Sequence, residues 1–305
     1  ARAGRKNWII NGSVIVSQRA SYATAVSMTT QAYYQDRWTT VINNGVAATI
    51  QTKSTDQPNG QVGNCIRVIT SAGSSAAECC VDQRVENPQQ FAGKTLTFSV
   101  WMKSNTNKAG ISHYNNQDTF VAPTNHTGGG AWEKLTLTHT VNATGPTDFR
   151  LRLGMSQSGN TVVGVGDYFE VTEAQMEYGS VATDFEHRSY GEELALCQRY
   201  FYQHIKGPSM IGLAALYTAT LALGYVNFPV TMRAAPTGFA ASGTNYYVCY
   251  AGGVGPSFNG IGQYSEATTT SIRLVITLNT NGTAGFCGSL QTGHANADIS
   301  FSAEL

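Results

Sequence analysis

Apolar β-formers alternate with polar residues along most of the chain, and helical periodicity is nearly absent. Residues 66–70, 95–101, 134–138, 149–153 and 168–171 each show the period of two that turns one face of a strand toward a core. Turn clusters separate these runs, among them Thr127-Gly128-Gly129-Gly130 and Asn142-Ala143-Thr144-Gly145-Pro146. Short strands at this spacing predict a sandwich of two antiparallel sheets.

One segment breaks the pattern. Ser189-Tyr190-Gly191-Glu192 has capping-box form, a Ser that accepts from a backbone N–H and a Glu three residues on. Residues 193–202 then place Leu194, Cys197 and Phe201 at helical spacing, with Leu196 and Tyr200 beside them. Beyond it, residues 221–228, 246–250, 272–278 and 298–301 restart the strand pattern. The expected fold is all-β: two antiparallel, jelly-roll-like β-sandwich domains, 7–187 and 204–305, joined by a short helix within 188–203 and preceded by an arm of residues 1–6. No collagen, heptad or β-helix repeat supplies a fibre shaft.

Composition narrows the function classes. Only 12% of the 305 residues are charged, with 19 Lys+Arg against 19 Asp+Glu, about half the ~25% of ordinary soluble domains. A chain without net charge or a basic cluster does not suit nucleic acid, which needs concentrated Lys and Arg. The polar surface must be built from Asn, Gln, Ser, Thr and Gly, as suits extracellular or virion β-proteins. The most apolar stretch, 210–226, is interrupted by Tyr217, Thr218, Thr220 and Gly224. It falls short of the roughly 20 apolar residues of a membrane helix, so no membrane insertion is expected. Arg2, Arg5 and Lys6 precede Trp8-Ile9-Ile10, but Asn11-Gly12 ends that run too early for a signal peptide. Cys65 can reach Cys79 or Cys80 across a hairpin, and Cys249 can reach Cys287. Six cysteines are nonetheless too sparse for a disulfide scaffold, and buried free thiols are the favoured state.

No enzyme signature emerges, and no catalytic, cofactor or metal residue is assigned. Glu170, Glu173 and Glu177 are the densest acidic group, but alternation points Glu170 and Glu173 to opposite faces unless a bulge intervenes, so solvated strand carboxylates are expected. His113, His126, His139, His187, His204 and His294 never fall at metal-ligand spacing. A Gly-x-Ser-x-Gly elbow is missing, and Gly164-Val165-Gly166 lacks the rest of a dinucleotide fingerprint. Four Asn-x-Ser/Thr sequons, at Asn11, Asn125, Asn142 and Asn281, are expected by chance in such a chain. Aromatic rings are the remaining candidates, offering faces to sugar C–H surfaces. Trp38, Trp132, Tyr246, Tyr247 and Tyr250 are the candidate glycan contacts, with Trp38 and Trp132 expected half-exposed beside charged residues and Trp101 expected in the core.

A motif series adds a resemblance. Residues 7–19, the Asp36-Arg37-Trp38 element, Gln83-Arg84-Val85-Glu86, residues 93–103, 175–186, Cys197-Gln198-Arg199-Tyr200-Phe201 and 228–237 occur in one order. Together they resemble bacteriophage virion surface proteins of tail-fibre or head-decoration type that carry a carbohydrate-binding-like β-sandwich. The resemblance implies an opening strand over 7–19, a non-catalytic role on the virion surface after assembly in the host cytoplasm, contact with other virion proteins, and a homotrimer. It leaves two leading expectations: a short tail fibre or appendage that adheres to host surface glycans, or a structural capsid decoration protein. A polysaccharide depolymerase ranks last. Within these motifs Arg19, Arg37 and Arg84 are expected to meet Asp36 or Glu86 as geometry-fixing pairs. The basic start is expected to anchor onto a neighbouring subunit, residues 229–236 are limited by Pro229 and Pro236 to an edge strand or extended arm, and the small-residue strands over 214–226 are expected to meet symmetry mates.

Overall fold

The alternating runs pair into antiparallel sheets, each placing its apolar set on one side. A computed structural model describes residues 6–60, 63–118, 123–155 and 161–305, so Arg2 and Arg5 lie outside the described residues. The chain is all-β and divides into two units, residues 1–193 and 194–305. Each is a sandwich of antiparallel sheets, and the single α-helix among the described residues, Tyr190–Gln198, crosses the boundary in sequence.

In the first unit a six-stranded sheet runs in the order Val26–Ser27, Ala47–Lys53, Cys65–Ala72, Tyr168–Tyr178, Thr95–Ser104, Trp132–Thr140. A five-stranded sheet faces it, in the order Thr39–Ile42, Cys79–Arg84, Phe149–Met155, Ala109–Asn115, Thr124–Asn125. Leu96, Phe98, Val100 and Met102 from the first sheet meet Val81, Ile111, Leu151 and Leu153 from the second in one core. Each such side chain contributes roughly 1.5–3 kcal/mol on burial. Trp101 is odd-numbered in a strand whose even positions face this core, so it stands half-exposed on the outer face rather than in the interior.

Residues 7–19 do not form the regular strand that the resemblance implies. They run as an irregular segment with left-handed Asn11 (φ 58°) and Val14 (φ 56°). Trp8 and Gly12 nevertheless pair by backbone with Met176 and Ala174 (2.9 and 3.0 Å). A Cβ on Gly12 would stand 2.2 Å from the Ala174 carbonyl oxygen, so only glycine permits this approach. Lys6 docks on its own unit: its backbone N–H donates to Glu186 (3.1 Å) and its ammonium to Thr183 (2.7 Å).

The helix begins with the expected capping box, Ser189 N–H and Oγ each donating to Glu192 at 2.9 Å. It ends at Gln198 because Phe201 already opens the strand Phe201–Lys206. That strand joins Asp298–Ser302 and Thr237–Ala240 in a three-stranded sheet, opposite a seven-stranded one built around Ser209–Leu216 and Leu221–Asn227. Residues 229–236 form neither the edge strand nor the extended arm expected; they run as an irregular segment with bends at Pro229-Val230 and Arg233-Ala234. Arg233 clamps the chain end by donating to the carbonyls of Ala303 (2.8 Å) and Glu304 (3.0 Å). All six cysteines are free thiols; five are buried and Cys287 is exposed. Burial pushes the Cys65 and Cys79 thiols up to about 12.

Candidate functional site

A bulge decides which side chains share the outer face of the six-stranded sheet. Thr172 pairs with Trp101 and Gln175 with Ser99, so Glu173 and Ala174 together oppose Val100 alone. Glu173 takes a left-handed φ of 52°, uncommon outside glycine. Before the bulge Phe169 and Val171 face the core, and after it Ala174 and Met176 do. Glu170 and Glu177, seven residues apart, therefore lie on the same outer face.

Register then writes that face as rows. Trp132, Lys103, Glu170, Arg67 and Gln51 oppose one another across five strands. The neighbouring row contains Lys134, Trp101 and Thr172, with Lys53 two residues beyond Gln51. Glu170 has no exposed surface, and both its oxygens accept from the Lys53 ammonium at 3.0 Å while Arg67 Nη1 donates to Oε1. A buried carboxylate held by two cations fixes their geometry. Lys103 pairs with Asp56, whose hydrogen bond raises the ammonium and holds the Asp56 carboxyl below its usual range. Trp132 Nε1 donates to the Asp56 carbonyl at 2.8 Å, and the Arg67 guanidinium lies 4.9 Å from the Tyr168 ring centre. Two carboxylates thus organise an aromatic and cationic surface.

The second row runs into a pocket of about 140 Å³ lined by Ser13, Gln57, Thr172, Glu173, His187 and Arg188, among others. Burial raises the Glu173 carboxyl, an effect opposed by His187 and Lys134. Glu170 and Glu177 are not the solvated carboxylates expected from the sequence: both are buried, and Glu177 accepts from Gln175 (2.8 Å) and Thr183 (2.7 Å). Their partners Lys103 and Thr97 are six residues apart on one strand, roughly 20 Å at ~3.4 Å per residue. A glycosidase pair stands roughly 5–9.5 Å apart, so these two do not form one. Among the described residues no group of three His, Cys, Asp or Glu side chains could hold a metal ion.

The candidate aromatic residues do not converge. Trp38 is 1% exposed, a core side chain whose Nε1 donates to the Asn11 carbonyl (3.0 Å), so it offers no face to a ligand. Trp132 stands half-exposed on the rows just described. In the second unit Tyr246 stacks on His294 at 3.6 Å between ring centres, and Tyr247 is buried with its hydroxyl on the Ala241 carbonyl (2.7 Å). Tyr250 is 50% exposed on the outer face of the seven-stranded sheet, opposite Ser289. Asp36 pairs with Arg19 at 2.9 Å. Arg37, left-handed at φ 74°, sends Nη2 to the Arg84 carbonyl (2.7 Å), and the Arg84 side chain turns to Asp148 (3.6 Å). Glu86 accepts through its carbonyl from Gln90 (3.2 Å).

Sequence reasoning missed Lys53, Arg67, Lys103, Lys134 and Trp101 as members of one surface. A signal was present: Trp101-Met102-Lys103 and Trp132-Glu133-Lys134 repeat the Trp-x-Lys spacing on two strands, and antiparallel pairing sets each Trp opposite the other motif's Lys.

No family model matches the chain, and no curated protein matches its sequence. Similar solved structures include the enzymatically active domain of bacteriophage CBA120 tailspike protein 4, at 13% identity and TM-score 0.37, covering 57% of this chain and 21% of that one. Another is the Clostridium thermocellum xylanase 10B CBM22-1–GH10 modules complexed with xylohexaose, at 13% identity and TM-score 0.33, covering 50% and 28%. A third is a putative sugar-binding protein from Bacteroides thetaiotaomicron, at 11% identity and TM-score 0.34, covering 57% and 100%. The chain therefore spans about a fifth of the tailspike chain and under a third of the xylanase chain.

Proposed function

We propose that the chain is a non-catalytic surface protein of a bacteriophage virion, a short tail fibre or appendage that adheres to host surface glycans as a homotrimer. The outer face of the six-stranded sheet carries the adhesion reading. Trp101 and Trp132 offer half-exposed rings, and Lys53, Arg67 and Lys103 stand beside them as donors already oriented by Glu170 and Asp56. Sugars are recognised by such pairings of apolar ring faces with fixed polar groups. The separation of Glu170 from Glu177 supports binding without hydrolysis. The ordered motif series supports the virion setting.

Capsid decoration is the second reading, favoured by an apolar outer face on the seven-stranded sheet, where Leu213 and Tyr225 are 71% and 58% exposed. Such a face suits a permanent protein contact. Copy number per particle separates the two: hundreds mean decoration, a few dozen at most mean a tail component.

The adhesion reading is tested by retention of the full chain on host surface polysaccharide. Trp101→Ala and Trp132→Ala are each expected to weaken retention at least about fivefold, because truncated Trp anchors commonly cost more than ~1 kcal/mol. Unchanged retention in both variants would count against this face as the site.

A further inference from the structure

The pocket beside the bulge is shaped by two left-handed residues. Val14 (φ 56°) sends its side chain into the core, and its neighbours Ser13 and Ile15 line the cavity. Glu173 (φ 52°) lines it from the bulge itself. A β-branched residue rarely accepts this conformation, and such outliers gather at ligand sites, where the surroundings must hold the strain.

The cavity keeps polar groups that the fold does not use. Glu173 is half-buried, yet its carboxyl has neither a hydrogen bond nor an ion pair among the described residues. Its neighbours along the chain differ: Glu170, Glu177, Glu186 and Glu193 are each held by cations or hydrogen bonds. Arg188, 6% exposed, spends Nη1 and Nη2 on Glu186, Glu193 and backbone carbonyls, and its Nε N–H is buried without a partner. Gln57 gives Nε2 to the Lys53 and Thr55 carbonyls (3.1 and 3.4 Å), which leaves Oε1 as a second acceptor. At roughly 10–15 Å³ for each water-sized group, the cavity of about 140 Å³ takes about ten of them, the scale of one sugar residue. Thr172 on its wall pairs with Trp101, and cross-strand neighbours stand roughly 5 Å apart, so the cavity lies beside that ring.

We propose that this pocket seats one neutral sugar residue, the end of a glycan that continues over Trp101, with two adjacent hydroxyls donating to Glu173 and the ring against Ile15 and Pro58. The proposal rests on the adhesion reading and adds which part of the glycan is recognised. An ionised carboxylate only accepts, and its two oxygens take a pair of hydroxyl hydrogens in charge-assisted bonds. A carboxylate-bearing sugar would meet Glu173 as a like charge, and an ammonium-bearing one would meet the Arg188 cation. A neutral diol meets neither obstacle.

Saturation transfer from the full chain to the methyl glycosides of glucose, galactose, mannose and rhamnose tests this. At least one is expected to bind, and E173Q to weaken that binding about tenfold through the lost charge-assisted bonds. G63F reaches the same cavity by another route and should abolish binding: Gly63 lines it, and a Cβ there meets open space, so the added ring fits without a clash. A thermal melt checks that each variant is folded. No transfer to any of the four glycosides overturns the proposal, as does binding that survives either variant. Retention on host polysaccharide that still needs Trp101 and Trp132 would then leave the adhesion reading standing without the pocket. A chain that binds neither the glycosides nor host polysaccharide would bring down both.

Discussion

His113 shows how strongly one buried side chain couples stability to pH. Its ring packs against both Phe98 and Phe149, at 5.2 and 5.3 Å, and neither ring nitrogen has a hydrogen-bond partner. His139 is the adjoining ring at 4.6 Å, itself 2.9 Å from Asp118. Burial, with His139 adding to it, holds the His113 imidazole down to about 4. The unfolded chain protonates this group near 6.5, so between those values the unfolded state binds more protons than the folded one. Stability then falls as pH drops through that window, by at most roughly 3 kcal/mol for a shift of this size. His113→Phe keeps an aromatic ring in the stack and removes the titration. Its melting temperature should fall less than that of the wild type between pH 6.5 and 4; parallel acid limbs would sink the assignment. At the same scale, both Trp101 and Trp38 were misplaced from the sequence, the first against a cue that the strand itself carries. Leu96, Phe98, Val100 and Met102 already fix the strand's phase, which assigns Trp101 with Thr97, Ser99 and Lys103 to the other face. Trp38 follows two charged residues, and charge normally signals solvent. Here Asp36 and Arg37 are themselves buried, with partners at Arg19 and the Arg84 carbonyl, so the cue inverted.

Elements were easier to foresee than their irregularities. The strands came from the period of two and the helix start from its capping box, because both are local rules. The bulge at Glu173 and the irregular 7–19 segment depend on one another across more than 150 residues, which no local pattern encodes. A polar clasp holds them. Arg188, 6% exposed, donates to the carbonyls of Ile9 (3.1 Å) and Asn7 and pairs with Glu186 (2.9 Å) and Glu193 (3.3 Å). Glu193 in turn accepts from the Asn11 N–H. Arg188→Ala would leave Glu193 buried without its cation, a class of change that costs about 3–5 kcal/mol. The urea midpoint of unfolding should drop accordingly, and R188A/E193A should recover part of the loss because the stranded charge is gone. A loss below ~1 kcal/mol for R188A would show that the clasp is not what holds the segment. Gly12→Ala should weaken the same junction by steric contact with Ala174, visible as a lower melting temperature.

At the scale of the whole molecule, low charge acquires a location. On the seven-stranded sheet, Ala214, Leu216, Ala222 and Val226 face the core, and alternation turns Leu213, Ala215, Leu223 and Tyr225 outward. Cross-strand pairs extend that outer face through Val275, Ser289 and Tyr250. Among the described strand residues the charged side chain there is Arg273, paired with Glu266 at 2.7 Å. An exposed, nearly uncharged, apolar sheet face is unusual on a monomer. A second copy of the same chain is the occupant that the resemblance implies, and a head-to-tail contact between copies closes into a ring when the rotation is three-fold. The expected particle in light scattering is three times the 32.6 kDa of one chain. L213E/Y225E should reduce it to a monomer at micromolar concentration, since burying two unpaired carboxylates in such a contact costs several kcal/mol. The second unit should keep its melting transition, because both side chains already face solvent in a single chain. A wild-type chain that scatters as a monomer would refute self-association, and a trimer indifferent to L213E/Y225E would move the interface to another face.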